Sequence, residues 1–336
     1  MRKSQVFVLF ICITVSIPFV SAQTDSNLSS AIARAQEARK IASDFEGNLY
    51  FPGEWEAAES QYAKAGLMPD DTGNTIRAYN EAADAFDHVF RLVIPLYAQA
   101  REDEIMAIRG YLITLGARKE FPEYLLEADR IALLAFIRYE AKDYYSARDL
   151  AVNALQKFNV LETAFNAWLL RVEIRERGFT DYDPANFELG REILIGAMDA
   201  YMTDDFAGAR EKAEEALSTF DLALLTAWAS YAELRSSLAE GERLAALDMK
   251  TDIAAREFFK IADSDNKAAL DLLESKQYED AAKLFIDAEA MFVIASITSL
   301  EKKRAAAAAI RNANEKIEES EIIARNAEIN SKRGPK

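Results

Sequence analysis

The sequence predicts an all-α fold, built as an array of helices with a long helix near the C-terminal end. Three observations predict it. The 336-residue chain contains 12 glycines and 7 prolines, too few for the many turns of a β-rich fold. Half of the residues are apolar, which is enough to build a core. Alanine and aromatic residues recur at helical spacing, and the same spacing returns at several places along the chain.

The charge and the scarce residue types exclude several classes of protein. The chain has 56 acidic and 40 basic residues and a net charge of −16, which argues against a nucleic-acid partner because phosphates require a basic surface. His88 is the only histidine and Cys12 the only cysteine. A catalytic pair based on histidine, or a metal site with several histidines, therefore cannot be built.

The N-terminal segment is typical of a secretory signal peptide. A short basic start precedes an apolar run at 6–20, and small residues lead to a cleavage site after Ala22. We expect residues 1–22 to be removed, although an uncleaved membrane anchor is an alternative. Cys12 would leave with the signal, so the mature chain would contain no cysteine. The predicted location is the periplasm or the cell envelope.

An internal repeat is visible three times, with anchors at Tyr144, Phe206 and Tyr278. Each anchor follows a polar turn and is followed by small or aromatic residues at offsets of 3, 7, 10 and 14. Such a stripe allows a neighbouring helix to approach closely. A fourth, partial copy begins at Trp55 and Ala58. The predicted packing positions after the three anchors are Ala147, Ala151, Ala154 and Phe158; Ala209, Ala213, Ala216 and Phe220; and Ala281, Phe285, Ala288 and Phe292.

This pattern resembles the tetratricopeptide repeat, whose two-helix hairpins carry such residues at these offsets. The resemblance implies a helical-repeat array, an α-solenoid, over residues 23–295. The anchors lie 62 and 72 residues apart, whereas the family's repeat is about 34 residues long. We therefore expect extra helices between the hairpins, near 163–176 and 222–238. A generic helical bundle with alanine-rich seams is the alternative.

In tetratricopeptide proteins the first helix of each hairpin lines a concave, partner-binding groove. By resemblance, the groove positions here fall on the helices that precede the first two anchors. The alternative is that some of these residues, such as Phe136 and Leu194, belong to the core. The predicted partner-binding residues are Phe136 and Tyr139 in one copy, beside Asp129 and Ala132, and Arg191, Leu194, Met198 and Tyr201 in the next.

A second resemblance lies at 38–59, which includes Tyr50-Phe51-Pro52-Gly53-Glu54-Trp55. This stretch resembles the alanine-rich envelope proteins of spirochaetes of the treponemal membrane protein B type. The resemblance implies an envelope-associated protein, with peripheral membrane association as one possibility. It implies no mechanism.

Local signals predict several helix boundaries. Pro122 suits the first turn of a helix, and Asp183 before Pro184 is positioned to cap one. Gly178 predicts a helix stop. We expect separate helices at 73–93 and 97–116, at 144–157 and 161–177, and at 206–218 and 221–239, with loops at 67–73 and 178–184.

The C-terminal segment at 296–330 is predicted to be a long helix. It is highly charged and contains the alanine run at 305–309, and alanine is the strongest helix former. The stripe that includes Ile310 and Ile317 is thin for a coiled coil. Two alternatives stay open for this helix. In the first it packs along the array or is exposed to solvent; in the second it forms a homo-oligomer or binds a partner. We expect the tail at 331–336 to be frayed.

No motif indicates catalysis, a cofactor or a metal. The strongest calcium candidates are Asp181, Asp183, Asn186 and Glu188, and they lack the glycine of a calcium loop. Asp263, Asp265 and Glu274 have calcium-loop spacing but also lack that glycine. Trp168 and Trp228 either fill gaps between helices or anchor a partner.

The sequence therefore predicts an exported, non-enzymatic scaffold or adaptor that binds other envelope proteins through a groove of repeat helices. Two alternatives stay open. One is a ligand-handling accessory protein of a periplasmic transporter, and the other is a structural subunit of an envelope or flagellar collar assembly.

Overall fold

The computed structural model describes residues 18–68, 72–332 and 334, and these residues form helices joined by short turns, without a strand. The chain divides into two compact units, with the boundary after Leu161, inside a helix. The all-α prediction is confirmed. Most of the predicted signal peptide, residues 1–17, and positions 333, 335 and 336 of the predicted frayed tail lie outside the described residues. The predicted cleavage site after Ala22 falls within the first helix.

The first unit contains two pairs of helices that are each introduced by a helix of only four residues. The helices that lie in it are α1 (Pro18–Asp44), α2 (Gly47–Tyr50), α3 (Pro52–Gly66), α4 (Thr72–Leu115), α5 (Ala117–Glu120), α6 (Pro122–Glu140) and the beginning of α7 (Tyr144–Glu176).

The second unit contains the remainder of α7 and five further helices, one of which is a four-residue helix that introduces the last pair. They are α8 (Pro184–Met202), α9 (Phe206–Asp248), α10 (Thr251–Ala254), α11 (Arg256–Glu274) and α12 (Tyr278–Lys332). Among the residues that the structure describes, no helix has both the length and the apolar character needed to cross a membrane.

The short helices α2, α5 and α10 belong to a joint with the same geometry each time. A residue in the left-handed conformation comes first: Glu46, Gly116 or Lys250, with φ of 63°, 97° and 57°. A four-residue helix follows. The amide of the residue just after this helix donates a hydrogen bond to the carbonyl of the helix's first residue, as from Phe51 to Gly47 at 3.0 Å. Together with Gly178 (φ 70°), the left-handed residues lie 70, 62 and 72 residues apart, at 46, 116, 178 and 250.

A second type of turn precedes each of the three repeat anchors. Lys142, Asp204 and Lys276 adopt φ of 62°, 59° and 62°. The next amide donates to the carbonyl five residues back, for example from Asp143 to the Arg138 carbonyl at 3.0 Å and from Gln277 to the Leu272 carbonyl at 2.9 Å. This is the Schellman pattern, which ends one helix and lets the next begin at once. The three polar turns found in the sequence are thus structurally equivalent.

Three long helices are continuous where the sequence predicts breaks. α4 runs through Pro95, and α7 and α9 run through 158–160 and 219–220. Pro95 removes one backbone hydrogen bond, but Ile94 and Tyr97 beside it are buried, so packing holds the helix in place. The other two stretches contain no glycine or proline. The expected extra helices are therefore not separate elements; they are the C-terminal parts of α7 and α9.

Alanine stripes form the core between these helices. All twelve positions at the four offsets after Tyr144, Phe206 and Tyr278 are buried, whereas the three anchors themselves are half-buried. In the first unit, alanines of α1 and α3 pack against Tyr79, Phe86 and Val89 of α4. In the second, Ala246, Ala262, Ala288 and Phe292 join α9, α11 and α12. Small side chains bring the helix axes close and leave room for the aromatic rings.

Local capping agrees with the predictions made for two helix starts. The Asp183 carboxylate accepts a hydrogen bond from the Asn186 amide at 3.2 Å, and Pro184 is the first residue of α8. Pro122 is the first residue of α6. The loop predicted at 178–184 lies between α7 and α8, and that predicted at 67–73 includes 69–71, which fall outside the described residues.

Candidate functional site

A cleft in the first unit is the candidate site. It lies between α4, α6 and the start of α7, and Phe45, just after α1, also lines it. The cavity has a volume of about 390 Å³. This volume falls within the roughly 300–1,000 Å³ of typical ligand pockets.

The walls of the cleft are mainly apolar, and part of this apolar surface is exposed. Ile94, Ile105 and Ala135 are buried in the walls. Met106 from α4 and Leu133 and Phe136 from α6 also line the cavity, yet they are exposed to 55%, 59% and 56%. Large apolar side chains that cluster around an open cavity form a patch that a partner could cover.

Three arginines line the same cleft. Arg109 makes a bidentate pair with Asp129, through Nε to Oδ1 at 2.6 Å and Nη2 to Oδ2 at 3.0 Å. The hydrogen bond to Asp129 raises the pKa of Arg109, and the pair ties α4 to α6 at the edge of the cavity. The Asp129 carboxylate is therefore already engaged within the protein.

Arg101 and Arg148 are less completely paired. The Arg101 guanidinium lies 5.2 Å from the centre of the Tyr97 ring, with Glu104 at 3.1 Å from Nη1 and Glu46 at 3.9 Å from Nη2. Arg148 bonds Asp149, and its Nη1 lies 3.9 Å from Asp44. A separation of 3.9 Å is too long for a hydrogen bond. Each guanidinium therefore presents an N–H group that an added carboxylate could engage.

A polar cluster joins α1 to α7 beside the cleft. The Tyr145 hydroxyl donates to Asp44 at 2.9 Å, and Lys40 also bonds this carboxylate. Hydrogen bonding from Lys40, with that from Tyr145 and the nearby charges, lowers the pKa of Asp44. Burial and the bond to Asp44 raise the pKa of Tyr145 to about 12. The edges of the Phe45, Tyr97 and Tyr145 rings pack together at centroid distances of 5.3 Å.

The first set of predicted groove residues lies together in this cleft. Asp129, Ala132, Phe136 and Tyr139 all line the cavity. Tyr139 is half-buried, its ring packs against Tyr144, the first repeat anchor, at 5.7 Å, and burial raises its pKa. Phe136 is exposed and so does not belong to the core, which was the alternative for this residue.

The second set of predicted groove residues is wrong in three of its four members. Leu194, Met198 and Tyr201 are 6%, 5% and 0% exposed, so they belong to the core and no partner can reach them. A substitution of Tyr201 would therefore change the free energy of unfolding and would not report on partner binding. Arg191 is accessible and bonds Glu188, one turn earlier on α8, at 2.7 Å. The reason for the error is that α8 packs along its whole length against α9, which the sequence pattern does not reveal.

The calcium candidates and the tryptophans have structural partners. Asp183 caps α8, and Asp263 accepts from Arg243 at 2.8 Å and from Lys267 at 2.7 Å. Within the described residues, no cluster of three histidine, cysteine, aspartate or glutamate side chains could hold a metal. Trp228 is buried against Phe179 at 4.9 Å, which excludes it as an exposed anchor; Trp168 is half-buried and stacks on Phe165.

Sequence reasoning missed most residues of the cleft wall. Met106, Arg101, Arg109 and Arg148 lie on α4 and α7, whereas the prediction considered only the first helix of each hairpin. The spacing of Arg109 and Asp129 across the glycine at 116 gives no periodic signal, because they lie on different helices. No local signal marks this wall, because Arg101 and Arg109 stand in a stretch that also contains Glu102 and Glu104, and Arg148 lies on another helix.

Comparisons with known proteins give no family for this chain. No protein-family model matches it, and neither a curated protein nor a solved structure does.

Proposed function

We propose that this chain is a non-enzymatic adaptor whose α4–α6–α7 cleft captures an apolar segment of another protein. The observation that carries the proposal is the exposed apolar surface of Met106, Leu133 and Phe136 around a cavity of about 390 Å³. The signal-like start of the sequence supports a partner among periplasmic or envelope proteins. The proposal assigns no catalytic residue.

The geometry of the mouth favours a peptide segment. Leu133 and Phe136 lie one turn apart on α6 and face Met106 on α4, so apolar contacts continue from inside the cavity to its exposed edge. An aromatic or leucine side chain of the partner would fill the cavity, and the flanking residues would cover the edge. Burial of such an anchor contributes roughly 1.5–3 kcal/mol.

The charges of the walls favour a partner segment with a carboxylate next to its apolar anchor. Arg101 Nη2 lies 3.9 Å from the Glu46 carboxylate, and Arg148 Nη1 lies 3.9 Å from that of Asp44. An aspartate or glutamate of the partner could approach either nitrogen directly, and hydrogen bonds between charged groups are stronger than neutral ones. The charged residues that line the cavity are three arginines against Glu102 and Asp129, in a chain of net charge −16.

Selection from a displayed library of random short peptides, with the full chain as bait, tests this proposal. We expect the selected peptides to share a leucine or aromatic anchor beside an acidic residue. Phe136→Ala should weaken their binding by about tenfold or more. Changing the peptide's acidic residue to its amide should also weaken binding, by roughly tenfold.

The matched control is Leu126→Ala. Leu126 is on the same helix, is 68% exposed and does not line the cavity, so this substitution should change affinity by less than about twofold. Equal losses in the two variants, or selected peptides without an acidic residue, would overturn the proposed role of the cleft.

A small amphiphilic ligand is a second candidate, because the cavity volume alone fits one. This corresponds to a ligand-handling accessory role beside a periplasmic transporter. Mass spectrometry of small molecules released from the purified chain distinguishes the two. A carboxylate-bearing apolar compound that is present with Leu126→Ala and absent with Phe136→Ala would support the ligand role instead of the adaptor role.

A further inference from the structure

The last part of α12 extends from the second unit as an arm, defined here as residues 304–329. Every side chain described from 300 to 329 is exposed. The base of the arm is fixed: Lys302 Nζ donates to the Ala254 carbonyl and Lys303 Nζ to the Met249 carbonyl, both at 2.7 Å. At 1.5 Å per residue the arm is about 39 Å long, and an isolated helix of this kind gains little stability from its own sequence.

One face of the arm carries an apolar stripe that is interrupted at Ser320. Ile310 and Ile317 are 62% and 57% exposed. Alanines at 306, 313, 324 and 327 lie on the same face, and each member of the stripe is three, four or seven residues from the next. Ile322 and Ile329 lie on another face. A stripe over so many turns is long enough for a second helix to pack along it.

The charges of the arm are separated along its length. Residues 304–314 contain Arg304 and Arg311 and no acidic residue. Residues 315–329 contain glutamates at 315, 318, 319, 321 and 328, against Lys316 and Arg325. The half nearer the base is therefore basic and the outer half is acidic. Lys332 follows beyond the arm.

We propose that the arm pairs with the arm of a second copy of this chain in antiparallel orientation. This orientation places the basic half of each arm against the acidic half of the other, whereas a parallel pair would set glutamates against glutamates. The packing of the apolar stripes would hold the pair together, and the charges would select its orientation. This proposal does not depend on the function assigned to the cleft.

Charge reversal tests the proposal in the full chain, with mass measured by light scattering over a range of concentrations. We expect reversible dimers. Arg304→Glu with Arg311→Glu makes both halves acidic and should weaken dimerisation by about tenfold or more. Adding Glu321→Lys and Glu328→Lys to the same chain should restore it, because the two halves are then opposite in charge again.

The control is Lys212→Glu with Lys260→Glu, which changes the net charge equally at exposed positions outside the arm. The dissociation constant of this variant should stay within roughly threefold of that of the unmodified chain. A chain that remains monomeric at the highest concentration would overturn the proposal. So would a dimer that the arm reversals weaken no more than the control.

Spin labels determine the orientation directly, at Asn312 near the middle of the arm and at Ala308 near its base, both exposed and off the apolar stripe, each in a Cys12→Ser background. An antiparallel pair gives a shorter distance between the two Asn312 labels and a longer one between the two Ala308 labels. Short distances at both positions would mean a parallel pair and would contradict the inference.

Discussion

The turns before the three repeat anchors hold residues with side chains in a conformation that glycine adopts more easily. Lys142, Asp204 and Lys276 all have φ near 60°. A left-handed conformation costs a residue with a Cβ about 1–2 kcal/mol, and the Schellman hydrogen bonds offset this cost. The left-handed residues are thus held by the hydrogen bonds of the turn and not by the conformational preference of their own residue type.

Glycine at such a turn should stabilise the protein. We expect Lys142→Gly to raise the free energy of unfolding by about 0.5–1 kcal/mol, since the relief of backbone strain exceeds the entropy that glycine adds to the unfolded chain. Denaturant unfolding measures the change. Lys142→Ala is the control and should give no gain, because alanine keeps the Cβ.

At the scale of elements, the packing of α1 against α7 depends on one polar cluster. Tyr145 on α7 donates to Asp44 at the end of α1, and the Arg148 guanidinium lies 5.7 Å from the Phe45 ring centre. The bond fixes where α7 begins relative to α1 and so shapes one end of the cleft. Because the pKa of Tyr145 is raised, the cluster also makes stability depend on pH.

The sign of this dependence follows from the direction of the shift. The pKa of Tyr145 is about 12 in the folded chain, against the ordinary value of 10. Its contribution to stability is therefore complete below pH 10 and is lost as the pH rises towards 12. We expect this alkaline loss to amount to about 1–2 kcal/mol.

Tyr145→Phe should remove this component. Its free energy of unfolding should be about 1 kcal/mol lower at pH 8 because one hydrogen bond is missing, and it should fall less steeply than that of the unmodified chain between pH 10 and 12. Urea titrations at several pH values measure both effects. Tyr278→Phe, at a half-buried tyrosine in the second unit, is the matched control. Parallel curves for Tyr145→Phe and the unmodified chain would refute the assignment.

At the scale of the whole molecule, the arm lengthens α12 but contributes no buried side chain among its described residues. Its described side chains are all exposed, whereas Ala295 and Ser299 just before it are fully buried. The folded units therefore do not require it. The two lysines at its base belong to the second unit, because they bond carbonyls at the end of α9 and of α10.

Two truncations separate these contributions. A chain that ends after Arg304 should unfold with the same free energy as the full chain, within about 0.5 kcal/mol, at concentrations too low for association. A chain that ends after Val293 should lose about 2 kcal/mol or more, because buried residues and both lysine contacts are removed. Thermal unfolding followed by circular dichroism compares the two. A large loss from the shorter deletion would show that the arm packs on the protein.

Part of the cleft could be predicted from the sequence. The repeat spacing led to Phe136 and Tyr139 by resemblance, and both line the cavity. The same reasoning failed for Leu194, Met198 and Tyr201, which are buried. Equivalent positions on α6 and α8 have the same pattern but different neighbours. A pattern along one helix indicates which face is apolar, but it does not reveal what covers that face.

The sequence by itself determined the helical class, the polar turns before Tyr144, Phe206 and Tyr278, the start of α6 at Pro122 and the cap at Asp183. These features depend on residues within a few positions of one another. Only the tertiary structure decided that α4 continues through Pro95, that α7 and α9 are single helices, and that Arg101, Arg109 and Arg148 meet around one cavity. Those features depend on contacts between residues far apart in the chain, where packing outweighs local preference.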